Sequence, residues 1–391
     1  MADEKTNKER LDSINTRLDN IISSLENKAG VTQPTTVKGL LDATKKAAGL
    51  FNSYKGTSVD NLIAYDDTSE VTTMNSMFED CSNLLTIPLL DTSKVTTMSN
   101  MFSKCYKLST IPDLNTIAVT DTRDMFFSCE ELLKIPQLNT SKVINMNYMF
   151  GNCKKLPNIP LLDTSNVTDM GAMFYGCALL TTIPALDTSK VTTMSSMFYD
   201  CKELVTIPLL NTSKVTTMYN MFSGCNKLTS VPALDTSAVT NIAGMFSGCY
   251  LLTEVFALNL TKVASLSSLF NACSALTSLP ILDTSNIINM SSTFSNCSSL
   301  VTIPAYDVNK VVNFSGAFYK CTNLTEIHMY GMKTGFDISY STQYTKESLI
   351  EILNNLATVT ASRTLTMGST NLAKLTDEDK AIATAKGWTL A

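Results

Sequence analysis

The stretch VTTMSSMFYDCKELVTIPLLNTSKVTTMYNMFSGCNKLTSVPAL, residues 191–234, states one pattern twice, with each apolar residue returning after 24 positions. Followed outward in both directions, the same step carries a cysteine column through Cys81, Cys105, Cys129, Cys153, Cys177, Cys201, Cys225, Cys249, Cys273, Cys297 and Cys321. Columns of Val, Met, Met-Phe, Leu, Ile and Leu keep the same period, so that eleven copies fill residues 67–330. Self-similarity at a short fixed period marks a solenoid, in which each coil buries its apolar side chains against their copies above and below. Two helices with their turns need about 33 residues per repeat, whereas a strand with a short return fits roughly 20 to 29. A 24-residue period therefore predicts the strand type.

The expected fold is an α/β solenoid, a leucine-rich repeat of eleven coils with short parallel strands and short helical returns. Within a coil, the apolar stretch from Leu84 to Ile87 is predicted as strand. It ends at a proline that recurs in nine coils, from Pro88 to Pro304, because proline cannot donate to a ladder. The run VTTMxxMFxxC places apolar residues at i, i+3, i+7 and i+10, which predicts a short helix. Asp80, Asn152, Gly176, Gly224 and Gly248, each just before a Cys, supply the left-handed residue that would end it.

The cysteines read as a reduced core column. Parallel in-register side chains point the same way rather than at each other, and no CxxC pair suggests a metal. A second column, Asp or Asn from Asp67 to Asp307, reads as Asx-turns that bond the local backbone, with a calcium stripe as the other reading of the same carboxylates.

Outside the repeat, three further segments are expected. Over residues 1–30, Leu11, Ile14, Leu18, Ile21 and Leu25 form a heptad seam with Leu at a and Ile at d, which leans toward a homo-trimer or tetramer. An amphipathic helix docked on its own domain is the other reading of that pattern. Residues 31–66 read as a helical N-terminal cap and residues 331–391 as a C-terminal α/β cap. In the latter, a helix should follow Thr345, a strand should run through RTLTMG, and a second helix should carry acids in its first turn and Gly387 after its end.

Composition narrows the function classes. Net charge is −5 and charged residues are 17% of the chain, so no basic stripe suits a nucleic acid. MADEKTNKER opens without an apolar signal core, and no run reaches the ~18 apolar residues of a membrane helix. No Walker loop, GxGxxG, HExxH or GxSxG occurs, and the single histidine, His328, stands where earlier coils carry Pro. The chain is thus expected to be no enzyme and to need no cofactor. The candidate binding surface is drawn from the variable positions that flank each Cys: Tyr106, Lys107, Glu130, Lys154 and Lys202 after it, and Phe127, Tyr175, Tyr199 and Tyr319 before it. Aromatics in such a line suit a bacterial surface glycan or a protein; they also suit cover for the edges of the core.

The run DTSKVTTMSSMFYDCKELVTIP, residues 187–208, resembles the BspA-like leucine-rich repeat proteins, and that resemblance extends over the eleven repeats. It implies a non-enzymatic surface or adhesion protein of bacteria or of their phages. NLAKLTDEDKAIATAKGWTLA, residues 371–391, looks like the C-terminal segment of phage-encoded relatives. Unlike cell-surface members, this sequence shows no secretion signal or wall anchor. The expectation drawn from the resemblance is therefore a virion protein of a bacteriophage, a tail fibre, receptor-binding or decoration element among other virion proteins. The alternative is a bacterial surface adhesion or host-interaction protein.

Overall fold

The computed structural model describes residues 68–391, Pro88 excepted. The expected helix over residues 1–30 with its seam Leu11, Ile14, Leu18, Ile21 and Leu25, the expected cap over residues 31–66, and Asp67 lie outside the described residues. The coils are numbered here by their cysteines, from coil 1 at Cys81 to coil 11 at Cys321.

The eleven coils stack in register. The phenylalanine three residues before each Cys lies on its copy in the next coil, with ring centroids 5.4 Å apart for Phe78 and Phe102 and 5.5 Å for Phe198 and Phe222. The stack continues to Phe318. Val191, Met194, Met197, Phe198, Cys201, Leu204, Ile207 and Leu210 show what one coil buries, and most of their counterparts do the same. Burying one such phenylalanine contributes about 1.5–3 kcal/mol, a gain available only when neighbouring coils are in place. All eleven cysteines are buried and unbridged. From Cys105 onward each thiol donates to the carbonyl of the phenylalanine in the preceding coil, as Cys201 does to Phe174 O at 3.0 Å. Burial pushes these thiols up, Cys177 to about 12.

The expected helical return is absent, and its place is taken by a chain of turns. Met197 N–H donates to Met194 O, Tyr199 N–H to Ser196 O and Cys201 N–H to Phe198 O, each a three-residue step. The alternate donors leave the coil: Met194, Ser196, Phe198 and Asp200 N–H groups reach Thr217, Tyr219, Met221 and Ser223 carbonyls of the next coil at 2.7–3.2 Å. An α-helix would consume all of these donors internally, whereas here half of them hold the coils together. Two left-handed residues per coil make this possible, Ser196 at φ 55° and Asp200 at φ 55° in coil 6. The second of them is the position expected before each Cys. The first, five residues before the Cys, is a further requirement of the turn chain.

The strand prediction is corrected in the same way. The parallel ladder does not run mainly through the segment equivalent to Leu84–Ile87. It runs through the third residue of VTTM, in bridges Thr73↔Thr97↔Asp121↔Asn145↔Asp169↔Thr193↔Thr217↔Asn241. In the LLTIP segment most coils keep a single long bond, such as Val205 N–H to Thr181 O at 3.3 Å. Two-residue strands form there only as β1 (Thr302–Ile303) and β2 (Glu326–Ile327), which pair in parallel. There His328, which stands in the proline column, donates its N–H to Ile303 O at 3.0 Å, a bond that proline cannot make.

At the corner, the Asx reading holds. Ten side chains from Asp91 to Asp307 accept the N–H two residues on, as Asp187 does from Ser189 at 2.9 Å. Beside seven of these residues a buried threonine then donates to the next corner, as Thr188 Oγ1 does to Asn211 O at 2.9 Å.

The C-terminal cap has conventional elements: β3 (Phe336–Asp337), α1 (Lys346–Asn355), β4 (Arg363–Thr366), α2 (Ser369–Leu372), α3 (Asp377–Thr384) and β5 (Trp388–Leu390). Its parallel sheet has the order β3-β4-β5. Thr345 caps α1 by accepting from Ser348 N–H, and Thr376 and Asp379 close a capping box on α3. Gly387 follows α3 at φ 85°, as expected. Phe336 continues the aromatic column, 5.9 Å from Phe314 and 6.0 Å from Trp388, so the cap seals the apolar end of the last coil.

Candidate functional site

Reactive side chains in the coils are engaged in structural bonds. The thiols donate to carbonyls, and the corner carboxylates accept turn N–H groups. His328 lies 2.7 Å from Glu351 of α1 and 3.3 Å from Glu326 of β2, linking the last coil to the cap. The hydrogen bond with Glu351 raises its pKa above the ordinary value of 6.5. Among the described residues no cluster of three His, Cys, Asp or Glu is placed to hold a metal. No helix among them is long and apolar enough to cross a membrane.

The surface that does stand out is aromatic. Phe127, Tyr175 and Tyr199, predicted from three separate coils, are joined into one ribbon by a residue the sequence reading passed over. Phe127 meets Tyr148 edge-on at 5.5 Å, Tyr148 meets Tyr175 at 5.8 Å, and Tyr175 stacks on Tyr199 at 4.7 Å with planes 4° apart. All four are half-buried. Phe127, Tyr175 and Tyr199 share the position two before the Cys, and coil 4 carries Gly151 there instead. Tyr148 swings over that glycine and fills the gap. A Cβ at Gly151 would stand 2.9 Å from Tyr148 Cδ1 and 3.0 Å from Phe127 Cδ2.

Tyr148 adopts φ 52°, a conformation that in the other coils falls to Ser, Asn, Asp, Ala or Gly. For a bulky side chain that conformation costs of order 1–2 kcal/mol. The clue in the sequence was a tyrosine in a column of small and polar residues, three before the only glycine in the aromatic column.

The remaining predicted residues do not converge on the ribbon. Glu130 and Lys154 pair with each other across coils at 2.7 Å, as do Glu131 and Lys155 at 2.6 Å. Tyr106, Lys107 and Lys202 are exposed at the positions that follow the cysteine. Tyr319, five coils from Tyr199, packs edge-on against Tyr340 at 4.8 Å, with Lys320 Nζ 5.1 Å from its ring centre. Polar residues adjoin the ribbon in the chain: Asn152 Nδ2 donates to Ser128 Oγ at 3.4 Å, and Asp200 follows Tyr199. Burial first, then neighbouring negative charge, raises the pKa of both tyrosines.

Stacked coils with a ladder on one segment and turns on the others define a leucine-rich repeat solenoid. Residues 45–160, 155–255 and 250–348 match the family described as Mycoplasma protein of unknown function, DUF285, and the chain belongs to that family. It is a family of the BspA type. No curated protein matches the chain. Similar solved structures include a leucine rich cell surface protein from Faecalibacterium prausnitzii, at 22% identity over 64% of this chain and 80% of that one, TM-score 0.38. A leucine-rich repeat protein from Eubacterium ventriosum is similar at 17% identity over 64% and 80%, TM-score 0.35. A leucine rich repeat protein of T. pallidum is similar at 17% identity over 54% and 84%, TM-score 0.30.

Proposed function

We propose that this chain is a non-enzymatic bacterial surface protein that adheres to another cell through the outer face of its solenoid. The observation that carries the proposal is the fate of the polar side chains. Thiols, corner carboxylates and the histidine are spent on holding coils and cap together, which leaves a long repetitive surface for recognition. Membership in a family described from Mycoplasma supports a cellular protein over the virion element that the C-terminal resemblance suggested. Assembly into trimers or tetramers through Leu11, Ile14, Leu18, Ile21 and Leu25 belongs to the same proposal. Light scattering of the full chain, beside a version without residues 1–30, tests it.

Antibodies to the solenoid should label intact, unpermeabilised bacteria, and the purified full chain should coat the surface of a recipient cell. Labelling only after permeabilisation overturns the surface reading. Recovery of the protein in purified phage particles would replace it with the virion reading.

A further inference from the structure

We infer that the ribbon Phe127, Tyr148, Tyr175 and Tyr199 is a binding platform for an uncharged oligosaccharide; this names the ligand class of the surface proposed above and rests on that proposal. Three observations carry it. The rings form an unbroken file across coils 3 to 6, with successive centroids 4.7–5.8 Å apart. The C–H bonds on one face of a pyranose carry partial positive charge and pack on the negative π-face of an aromatic ring, so a file of half-buried rings suits a chain of sugars. The tilt between successive rings changes along the file, from 87° to 48° to 4°.

The second observation is charge. The lysines of coil 4, Lys154 and Lys155, are each matched by a glutamate of coil 3, which neutralises them toward an acidic polymer. The polar residues next to the file in the chain are the half-buried Asn152 and Asp200, an amide and a carboxylate that exchange hydrogen bonds with sugar hydroxyls. A neutral polyhydroxylated ligand satisfies both features, whereas an anionic one meets Asp200 unopposed.

The third observation is strain. Tyr148 alone places a bulky aromatic in the left-handed position five before the Cys, where coils 1, 6, 9 and 10 carry Ser76, Ser196, Ser268 and Ser292. Serine serves the fold at that position in four coils, so the tyrosine of coil 4 carries a backbone cost that the fold itself does not require. Gly151 belongs to the same device, since any side chain there would lift Tyr148 off the file.

The test uses the full chain on an array of uncharged bacterial and mucosal glycans, alongside Tyr148→Ser, Tyr175→Ala and the control Lys262→Ala, an exposed residue three coils beyond the ribbon. The wild type and Lys262→Ala should bind the same neutral glycans. Tyr148→Ser and Tyr175→Ala should bind them roughly tenfold or more weakly. Tyr148→Ser should melt no lower than the wild type, which separates loss of ligand from loss of fold. No binding to any neutral glycan overturns the inference, and so does binding that both tyrosine variants keep. If the protein nevertheless coats cells, the adhesion reading stands without it. Coating that these variants lose, with no glycan bound, would assign the ribbon to a protein partner instead.

Discussion

In the solenoid, the N–H of Phe198 reaches Met221 of the next coil; in the cap, the N–H of Leu349 reaches Thr345 one turn back in the same helix. The contrast runs through every level of the two regions. A coil has almost no structure it can close alone, because half the donors of its turn chain need the coil that follows. The cap closes its own bonds: Thr345 and Thr376 cap α1 and α3, while Lys386 Nζ donates to the carbonyls of Leu353 and Leu356 at the end of α1. A solenoid is therefore stabilised by interfaces between neighbours, and a cap by its own elements plus one interface. The joint between them is aromatic at the centre, through Phe336 and Trp388, and ionic at the edge, through His328.

The sharpest way to break this contrast is to remove one ring from each region. Phe198→Ala and Trp388→Ala should each cost about 3–5 kcal/mol in urea denaturation. They should differ in where the chain opens, and the buried thiols report that coil by coil. Pulsed alkylation should modify Cys201 and Cys225 first in Phe198→Ala, but Cys321 first in Trp388→Ala. The same order of labelling in both variants would show that solenoid and cap unfold as one unit.

A left-handed glycine sharpens the comparison at smaller scale, because both regions depend on one. Gly224 sits at φ 78° with its missing Cβ directed at the Asp200 carboxylate of the preceding coil, and Gly387 sits at φ 85° facing Val359 O. Gly224→Ala and Gly387→Ala should each lower stability by of order 1–3 kcal/mol, read from the urea midpoint. A much larger loss at Gly224 would mean that strain in one coil spreads to its neighbours.

The histidine joint gives the pH dependence. The folded-state pKa of His328 is raised by Glu351 first and Glu326 second, so the native protein favours the protonated ring. The stability this lends is fully present below the unfolded value near 6.5 and fades as pH rises through the folded value. His328→Gln should flatten melting temperature between pH 6 and pH 8, and the effect should stay below about 1 kcal/mol because the pair is part-exposed. An unchanged slope would remove His328 from the joint. Smallest of all, Lys154→Ala breaks one exposed bridge between coils 3 and 4 and should shift stability by no more than about 0.5 kcal/mol.

Much of this was legible in the residues themselves. The period, the buried columns, the reduced cysteines and the Asx corner follow from side-chain identity at fixed steps, and a step of 24 leaves few ways to bury them. Thr345, Thr376 and Gly387 mark the ends of α1 and α3 for the same reason, since a cap is a local bond between residues a turn apart. One such signal went unread. The third residue of VTTM is Thr, Asp, Asn or Ser in all eleven coils, and in most of them it accepts the N–H two residues on, as Asn145 does from Asn147 at 2.9 Å.

What tertiary structure alone decided is where the N–H groups go. Apolar residues at i, i+3 and i+7 satisfy a helix and a chain of three-residue turns equally well. The choice depends on whether donors such as Phe198 N–H have a carbonyl waiting in the next coil. The ribbon was hidden for the same reason. Phe127, Tyr148, Tyr175 and Tyr199 lie far apart in the chain and at two different steps from their cysteines, and only stacking brings the four rings into one file.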